Sequence, residues 1–221
     1  MKLEVDSVFY QVPEKVILSD VHLTLTDNEV LGVLGRNGSG KSSVFKLMFG
    51  LATAESFNLR VDGVKLRNIY DRGLLQYLPQ TDFLPGSFKL SQAMSFFRLD
   101  SPTQSRILDI LQETRFQRVY SLSGGKRRLF EACLLLFSKS PFLILDEPFT
   151  GLTPIVVEQL SKLIREVSES KGIIVTDHLY RSILPISDRL MLMTAGSLKS
   201  VNGIDDLEDA GYLNPLVTNH Q

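Results

Sequence analysis

Apolar and polar residues follow two rhythms along the chain, one of period two and one near 3.6. Residues 2–9, KLEVDSVF, alternate, with Leu3, Val5 and Val8 on the side that a half-buried strand turns inward. HLTLT at 22–26 alternates again, and EVLGVLG at 29–35 is a short apolar run closed by glycine, the pattern of a buried strand. A helix is expected from Gly40 through KSSVFKLMFG, where Val44, Leu47 and Met48 share a face and Gly50 is the stop. FNLRVDGVKL sets Asp62-Gly63 between two short runs, a hairpin signal. LLQYLPQ at 74–80 reads as a further strand. A helix is expected over 102–119, with Ser101 and Pro102 as N-cap and first turn and Ile107, Leu108, Leu111 and Phe116 at 3.6 spacing. GGKRRLFEACLLLFS is a second helix, and PIVVEQLSKLIREVSES, opened by Pro154, is a third. Between and after them lie a strand at 142–145, the buried strand GIIVTDH at 172–178, and a closing hairpin around Ala195-Gly196.

Strands alternating with helices predict an α/β fold with a mainly parallel central sheet. The early alternating strands add an antiparallel β part, and about residues 81–135 form a short helical insert. The last stretch, DDLEDAGYLNPLVTNHQ, is expected as a short helix or a loose tail.

Composition narrows the class. The 221 residues suit one large domain or two small lobes, and 43% hydrophobic with 22% charged is ordinary for a globular chain. A net charge of −1 offers no field to recruit nucleic acid, so no nucleic-acid partner is expected. The single cysteine, Cys133, sits inside FEACLLLF and reads as a small buried hydrophobe, which excludes a disulfide framework. No run approaches the roughly 18 consecutive apolar residues of a membrane span. MKLEVDSVFY lacks a basic patch followed by an apolar core, so no leader is expected.

The chemistry gathers at strand ends. GRNGSGKSS, spanning Gly35, Arg36, Asn37, Gly38, Ser39, Gly40, Lys41, Ser42 and Ser43, fits G-x-x-x-x-G-K-[ST] between a predicted strand and a predicted helix. Glycines let the backbone curl so that its N–H groups point at phosphate oxygens, and the helix that follows presents the positive end of its dipole. Lys41 would neutralise β- and γ-phosphates, and the Ser42 hydroxyl would ligate Mg²⁺. Leu143, Ile144 and Leu145 run straight into Asp146 and Glu147, and charges rarely sit at the edge of a core without a partner. A strand parallel to the one before the cradle brings both carboxylates beside the phosphates, Asp146 toward Mg²⁺ and Glu147 as general base for water. Gln80 and His178 close two other predicted strands; alone, the Gln reads as a solvated loop residue and the His as a structural one, although a Gln can reach Mg²⁺ or the lytic water and a His can hold a γ-phosphate oxygen.

With LSGG at 122–125, these segments occur in the order GRNGSGKSS, LPQ, LSGG, LILDEP, TDH, and the chain closely resembles the ATP-binding subunits of ABC-type ATPases over about residues 1–205. The resemblance implies a P-loop NTPase fold with an antiparallel β subdomain and a short helical subdomain, followed by a tail at 206–221. It implies ATP and Mg²⁺ as cofactors: Gly35–Ser43 on the phosphates, Ser42, Gln80 and Asp146 at the metal, Glu147 as base and His178 on the γ-phosphate. It also implies an aromatic on adenine, Tyr10 or else Phe9. In this family two subunits stack head to tail, so that Ser123, Gly124 and Gly125 of one face the cradle of the other. Physics alone favours an anion at such a helix start, since its N–H groups are free.

Two positions depart from the family pattern. Lys126, with Arg127 and Arg128, follows LSGG where Gln is frequent; this cluster is either a cationic device near a partner's phosphate or a solvated helix face. Thr153 stands where the family usually has Asp; it keeps an N-cap for the next helix and loses a charge that crosses the dimer interface, so slower hydrolysis or weaker coupling is expected. The insert is short, 41 residues over 81–121, and part of FLPGSFKLSQAMSFF at 83–97 is expected to dock a membrane partner. The leading reading is the ATPase subunit of an ABC transporter, cytoplasmic and peripheral on the inner face of the membrane, with a second ATPase subunit and a separate membrane-spanning subunit. The alternative is a soluble ABC-type ATPase that remodels a non-transport assembly such as a cofactor scaffold.

Overall fold

A computed structural model describes residues 1–66, 69 and 72–213. Strands β1 (Lys2–Val12), β2 (Lys15–Leu18) and β3 (Leu23–Thr26) come first, then β4 (Glu29–Leu34) and helix α1 (Lys41–Phe49). The hairpin β5 (Ser56–Val61) and β6 (Val64–Lys65) precedes β7 (Leu75–Leu78). Helices α2 (Leu90–Phe96), α3 (Ser101–Leu111) and α4 (Gly124–Leu136) follow, then β8 (Phe142–Asp146), α5 (Pro154–Ser168) and β9 (Gly172–Thr176). The chain continues with α6 (Tyr180–Ile183), the hairpin β10 (Arg189–Thr194) and β11 (Ser197–Val201), and α7 (Ile204–Asp209).

The central sheet runs β11-β10-β4-β9-β8-β7, all parallel except the β10–β11 pair. β8 and β9 are buried at every position, as strands covered on both faces must be, and this is why they read as unbroken apolar runs. A second, antiparallel sheet runs β2-β1-β5-β6, with β3 also on β1. One apolar core joins the two sheets and α1, from Leu3 and Val5 to Phe45 and Phe142; the other packs α2–α5 on the central sheet, from Leu90 and Ile107 to Phe130 and Leu143. The α/β class, with its mainly parallel central sheet, its antiparallel β part and its helical part, therefore holds.

Local departures have identifiable causes. Leu3, Val5 and Val8 are all buried although the last breaks the alternation; the register shifts after Asp6 and Ser7 takes a left-handed φ of 53°, so a bulge re-aims the strand. The expected 102–119 helix ends at Leu111, where Gln112 turns left-handed, and Phe116 is 71% exposed rather than on the buried face. Its N-cap is Asp100, whose carboxylate accepts from the Thr103 N–H at 2.9 Å, with Ser101 already inside the helix. The tail forms α7, anchored by fully buried Leu207; the rest of the expected tail, 214–221, lies outside the described residues. Among the described residues no helix is long and apolar enough to cross a membrane.

Candidate active site

The loop between β4 and α1 curls as the glycine spacing required. Gly40 holds a φ of 116°, and a Cβ there would stand 2.7 Å from Leu18 Cδ2, so both the backbone angle and the neighbouring β2 exclude a side chain. The turn of the β10–β11 hairpin supports the loop from outside, Gly196 N–H donating to the Ser39 carbonyl at 3.1 Å. Arg36 reaches over to the Gly211 carbonyl at 2.6 Å. The first turn of α1 has no side-chain cap, which leaves its N–H groups to a ligand. Lys41 is 7% exposed and folds back on the Gly35 and Arg36 carbonyls at 2.6 and 3.2 Å. Burial lowers its pKa, and the Asp146 and Glu147 carboxylates work against that.

Three parallel strand ends converge in front of this loop. β8 delivers Asp146, fully buried, where its carboxylate accepts from the Tyr77 hydroxyl at 3.0 Å and from the Gln80 amide at 3.4 Å. Burial raises the Asp146 pKa, while the bonds to Ser42, Tyr77 and Gln80 and the Lys41 charge hold it down. Gln80, just past β7, also donates to Ser42 Oγ at 3.3 Å and to Glu147 Oε1 at 2.8 Å. His178, just past β9, lies 2.8 Å from the same Glu147 oxygen through Nε2. Glu147 itself has a left-handed φ of 54°, which costs roughly 1–2 kcal/mol for a residue with a Cβ. The turn is fixed by the Glu147 N–H on the Thr176 carbonyl at 2.8 Å, and by buried Asp177, which accepts from the Phe149 and Leu179 N–H groups at 2.9 and 3.0 Å. The result is an open cavity of about 480 Å³ lined by Asn37, Gly38, Gly40, Lys41, Ser42, Ser43, Gln80, Glu147 and His178, with Lys15 and Ile17 of β2 at its rim.

The donor set fits a phosphate chain with a hard cation. The cradle offers N–H groups and one ammonium, and the Ser39 hydroxyl is buried there without a hydrogen-bond partner. Ser42, Gln80 and Asp146 offer oxygens of the kind Mg²⁺ takes. Gln80 presents Nε2 to its neighbours, so cation ligation requires its amide to turn the carbonyl oxygen inward. Among the described residues no cluster of three or more His, Cys, Asp or Glu is placed to hold a metal.

Not every expected residue joins the cavity. Tyr10 is half-buried on the core between the sheets, Phe9 is 38% exposed, and neither lines the cavity; Lys15 and Ile17 stand at its rim instead. β2 has an edge-strand pattern, exposed at Lys15 and Val16, too short to register as alternation. Ser123 caps α4 through the Lys126 N–H at 3.3 Å, and Ser123–Gly125 sit at the surface, outside the cavity. The cluster Lys126–Arg128 is neither a free cationic patch nor a solvated face. Lys126 pairs with Glu113, Arg127 pairs with Asp82 at 3.0 Å and donates to the Leu84 carbonyl at 2.7 Å, and Arg128 is 5% exposed. Thr153 occupies the N-cap position of α5 with extended backbone, but its hydroxyl makes no capping bond. The segment 83–97 divides: Leu84, Leu90, Ala93 and Met94 are core, whereas Phe83, Phe96 and Phe97 line a 580 Å³ apolar groove with Phe49, Leu51 and Leu135.

Comparison with known proteins agrees with this geometry. The family described as "ABC transporter" matches residues 18–150. The lipopolysaccharide export system ATP-binding protein LptB of Haemophilus influenzae is 31% identical over 199 residues, 82% of each chain. LptB of Acidithiobacillus ferridurans is 29% identical over 94% of this chain and 92% of its own. Among solved structures, an ATP-binding subunit of an ABC transporter superposes with a TM-score of 0.82 at 21% identity, over 97% of this chain and 95% of that one. A bacterial Atm1-family ABC exporter with ATP bound gives 0.84 at 19% identity over 95% of this chain, which spans 40% of the exporter; both establish shared fold. Loop, strand ends and relatives converge on one assignment: the chain belongs to the ABC transporter family, as an ATP-binding subunit with ATPase activity.

Proposed function

We propose that the cavity binds ATP with Mg²⁺ and hydrolyses it in a dimer that drives a separate membrane-spanning subunit. The reading rests on one observation above all: Ser42, Gln80, Asp146, Glu147 and His178, from four separate chain segments, meet in one hydrogen-bonded set beside the cradle. Gly35–Ser43 hold the phosphates, with Lys41 exchanging its carbonyl partners for β- and γ-oxygens. Water attacks the γ-phosphorus of ATP and ADP leaves; Ser42 and Gln80, with Asp146 behind, would hold Mg²⁺, which would supply neutralisation of the phosphate charge. Glu147 accepts the proton of the attacking water, and His178, already on the same carboxylate, orients that water and the γ-phosphate. Ser123, Gly124 and Gly125 of a second subunit, a copy of this chain or a related one, close the site from the other side.

The apolar groove around Phe83, Phe96 and Phe97 suits an amphipathic segment of the membrane subunit, since Phe96 is 75% exposed with its neighbours already lining a concavity. On this reading the chain works on the inner face of a membrane, docked on that subunit. The relatives named for lipopolysaccharide export make export of an amphiphile the first cargo class to test. The test is Glu147→Gln in the native host, extracted in mild detergent with ATP and Mg²⁺. Turnover falls by roughly 10²–10⁴, the dimer persists, and a multi-span membrane protein co-purifies in fixed ratio. Only soluble partners, with the protein missing from membranes, would overturn the transport reading and favour a scaffold-remodelling ATPase.

A further inference from the structure

Arg128 is an uncommon kind of buried arginine. It lies in the second turn of α4, 5% exposed, and among the described residues no carboxylate pairs with it within salt-bridge distance. Its guanidinium instead donates to three backbone carbonyls, Pro79 and Asp146 at 2.6 Å each and Glu147 at 3.1 Å. The carboxylates of Glu131, Asp146, Asp82 and Asp177 offset its desolvation only from a distance, so burying this cation is not a favourable way to gain stability. The chosen carbonyls explain the placement better: they belong to the peptide units on which Gln80, Asp146 and Glu147 are mounted. One is the carbonyl of Glu147 itself, the residue held at a left-handed φ of 54°. The fork geometry of a guanidinium can bridge the ends of two neighbouring parallel strands; a point-charge ammonium cannot.

The flanking residues of α4 hold the exit of the same loop. Glu131 Oε1 accepts from the Phe83 and Leu84 N–H groups at 3.2 and 3.1 Å, and Arg127 takes the Leu84 carbonyl at 2.7 Å. The chain from Pro79 to Leu84 is thus fastened to α4 at both ends, with Gln80 between the fastenings.

We propose that Arg128 is a positioning residue for ATP hydrolysis, holding the ends of β7 and β8 so that Gln80 and Glu147 meet at the reacting water. It rests on the assignment of Glu147 as base. A purely structural arginine, capping carbonyls for the sake of the fold, would affect stability and nucleotide affinity together with rate. A positioning one separates them.

The test is a double-mutant cycle on the full chain with Arg128→Lys and Glu147→Gln, reading kcat and KM for ATP, the Kd of a fluorescent ATP analogue and the unfolding midpoint. Arg128→Lys is expected to lower kcat about tenfold or more while KM and Kd stay within roughly threefold. In the Glu147→Gln background the same change lowers the residual rate by less than about twofold, because the residue it serves is already disabled. Arg128→Gln, which keeps two donors without the charge, falls between wild type and Arg128→Lys with the same kcat-only pattern. It stands in if the lysine variant does not fold. The proposal is overturned if kcat is unchanged, if Kd weakens in step with kcat, or if the full tenfold loss persists in the Glu147→Gln background. Intact turnover in Glu147→Gln alone would instead overturn the base assignment, a result separable from any of these.

Discussion

Helices α1 and α4 both begin beside glycines, and of these two starts only that of α1 lies inside a site. α1 starts behind buried Gly40, uncapped, with Lys41 folded under the loop and Asp146, Gln80, Glu147 and His178 opposite. α4 starts at exposed Ser123, whose own hydroxyl takes up the Lys126 N–H. Both starts carry a dipole and small residues. The difference lies in what surrounds them: the chain itself brings groups to the cradle, whereas the α4 start lies at the surface. A helix terminus becomes a site through the groups converging on it, and for α4 those groups would belong to a second subunit.

The strongest way to break this comparison is to obstruct the exposed start alone. Ser123→Arg puts a bulky cation on a surface outside the 480 Å³ cavity, so ATP binding by the single chain should stay within about twofold while turnover falls roughly 100-fold. ATP-dependent dimerisation, read by light scattering in the Glu147→Gln background, should vanish as well. The lost cap costs about 1 kcal/mol, so the unfolding midpoint is measured alongside. Unchanged turnover would mean that the α4 start never meets a second cradle.

Thr153→Asp sharpens the same contrast by restoring a charge on the exposed side. Thr153 sits at the α5 N-cap without a capping bond, so a carboxylate there should also stabilise the helix by about 0.5 kcal/mol. Turnover is expected to rise about threefold with steeper ATP cooperativity, the scale of one charge-assisted contact across an interface. If turnover and cooperativity stay as they are, the loss of the family's Asp has no bearing on coupling.

How far these features were legible in the sequence follows from what fixes each one. Buried parallel strands announce themselves because both faces demand apolar residues, and Asp146 stood out as the charged ending of such a run, whereas Gln80 and His178 gained meaning only from the order of the motifs around them. The hairpins at Asp62-Gly63 and Ala195-Gly196 were legible because successive left-handed residues favour few side chains; both pairs show positive φ. β2 and the end of α3 were not, since an edge strand needs little apolar content and Gln112 carries no stop signal in its identity. Arg128 was the plainest failure. Next to Lys126 and Arg127 it reads as part of a solvated run, and only tertiary packing reveals that the third of three adjacent cations is turned inward.

The smallest expected effect concerns the joint between the two regions. Glu131 lies on α4 but holds the loop beyond Gln80; it is fully buried and its Oε2 has no hydrogen-bond partner. Burial raises its pKa above the ordinary glutamate value, with the Leu84 N–H, Arg127 and the Phe83 N–H opposing the rise and Asp82 adding to it. A carboxyl whose folded pKa is raised binds its proton more tightly in the native state. Its stabilising contribution is therefore full below the unfolded pKa and is lost as pH rises through the folded value. Glu131→Gln keeps an oxygen for the two N–H groups and removes the titration. The midpoint difference, variant minus wild type, should thus grow more positive as pH rises from the ordinary glutamate range toward neutrality and level off above the folded pKa. A difference flat with pH would mean that Glu131 is already ionised, compensated by Arg127, and that α4 grips the loop through a charge rather than through a neutral carboxyl.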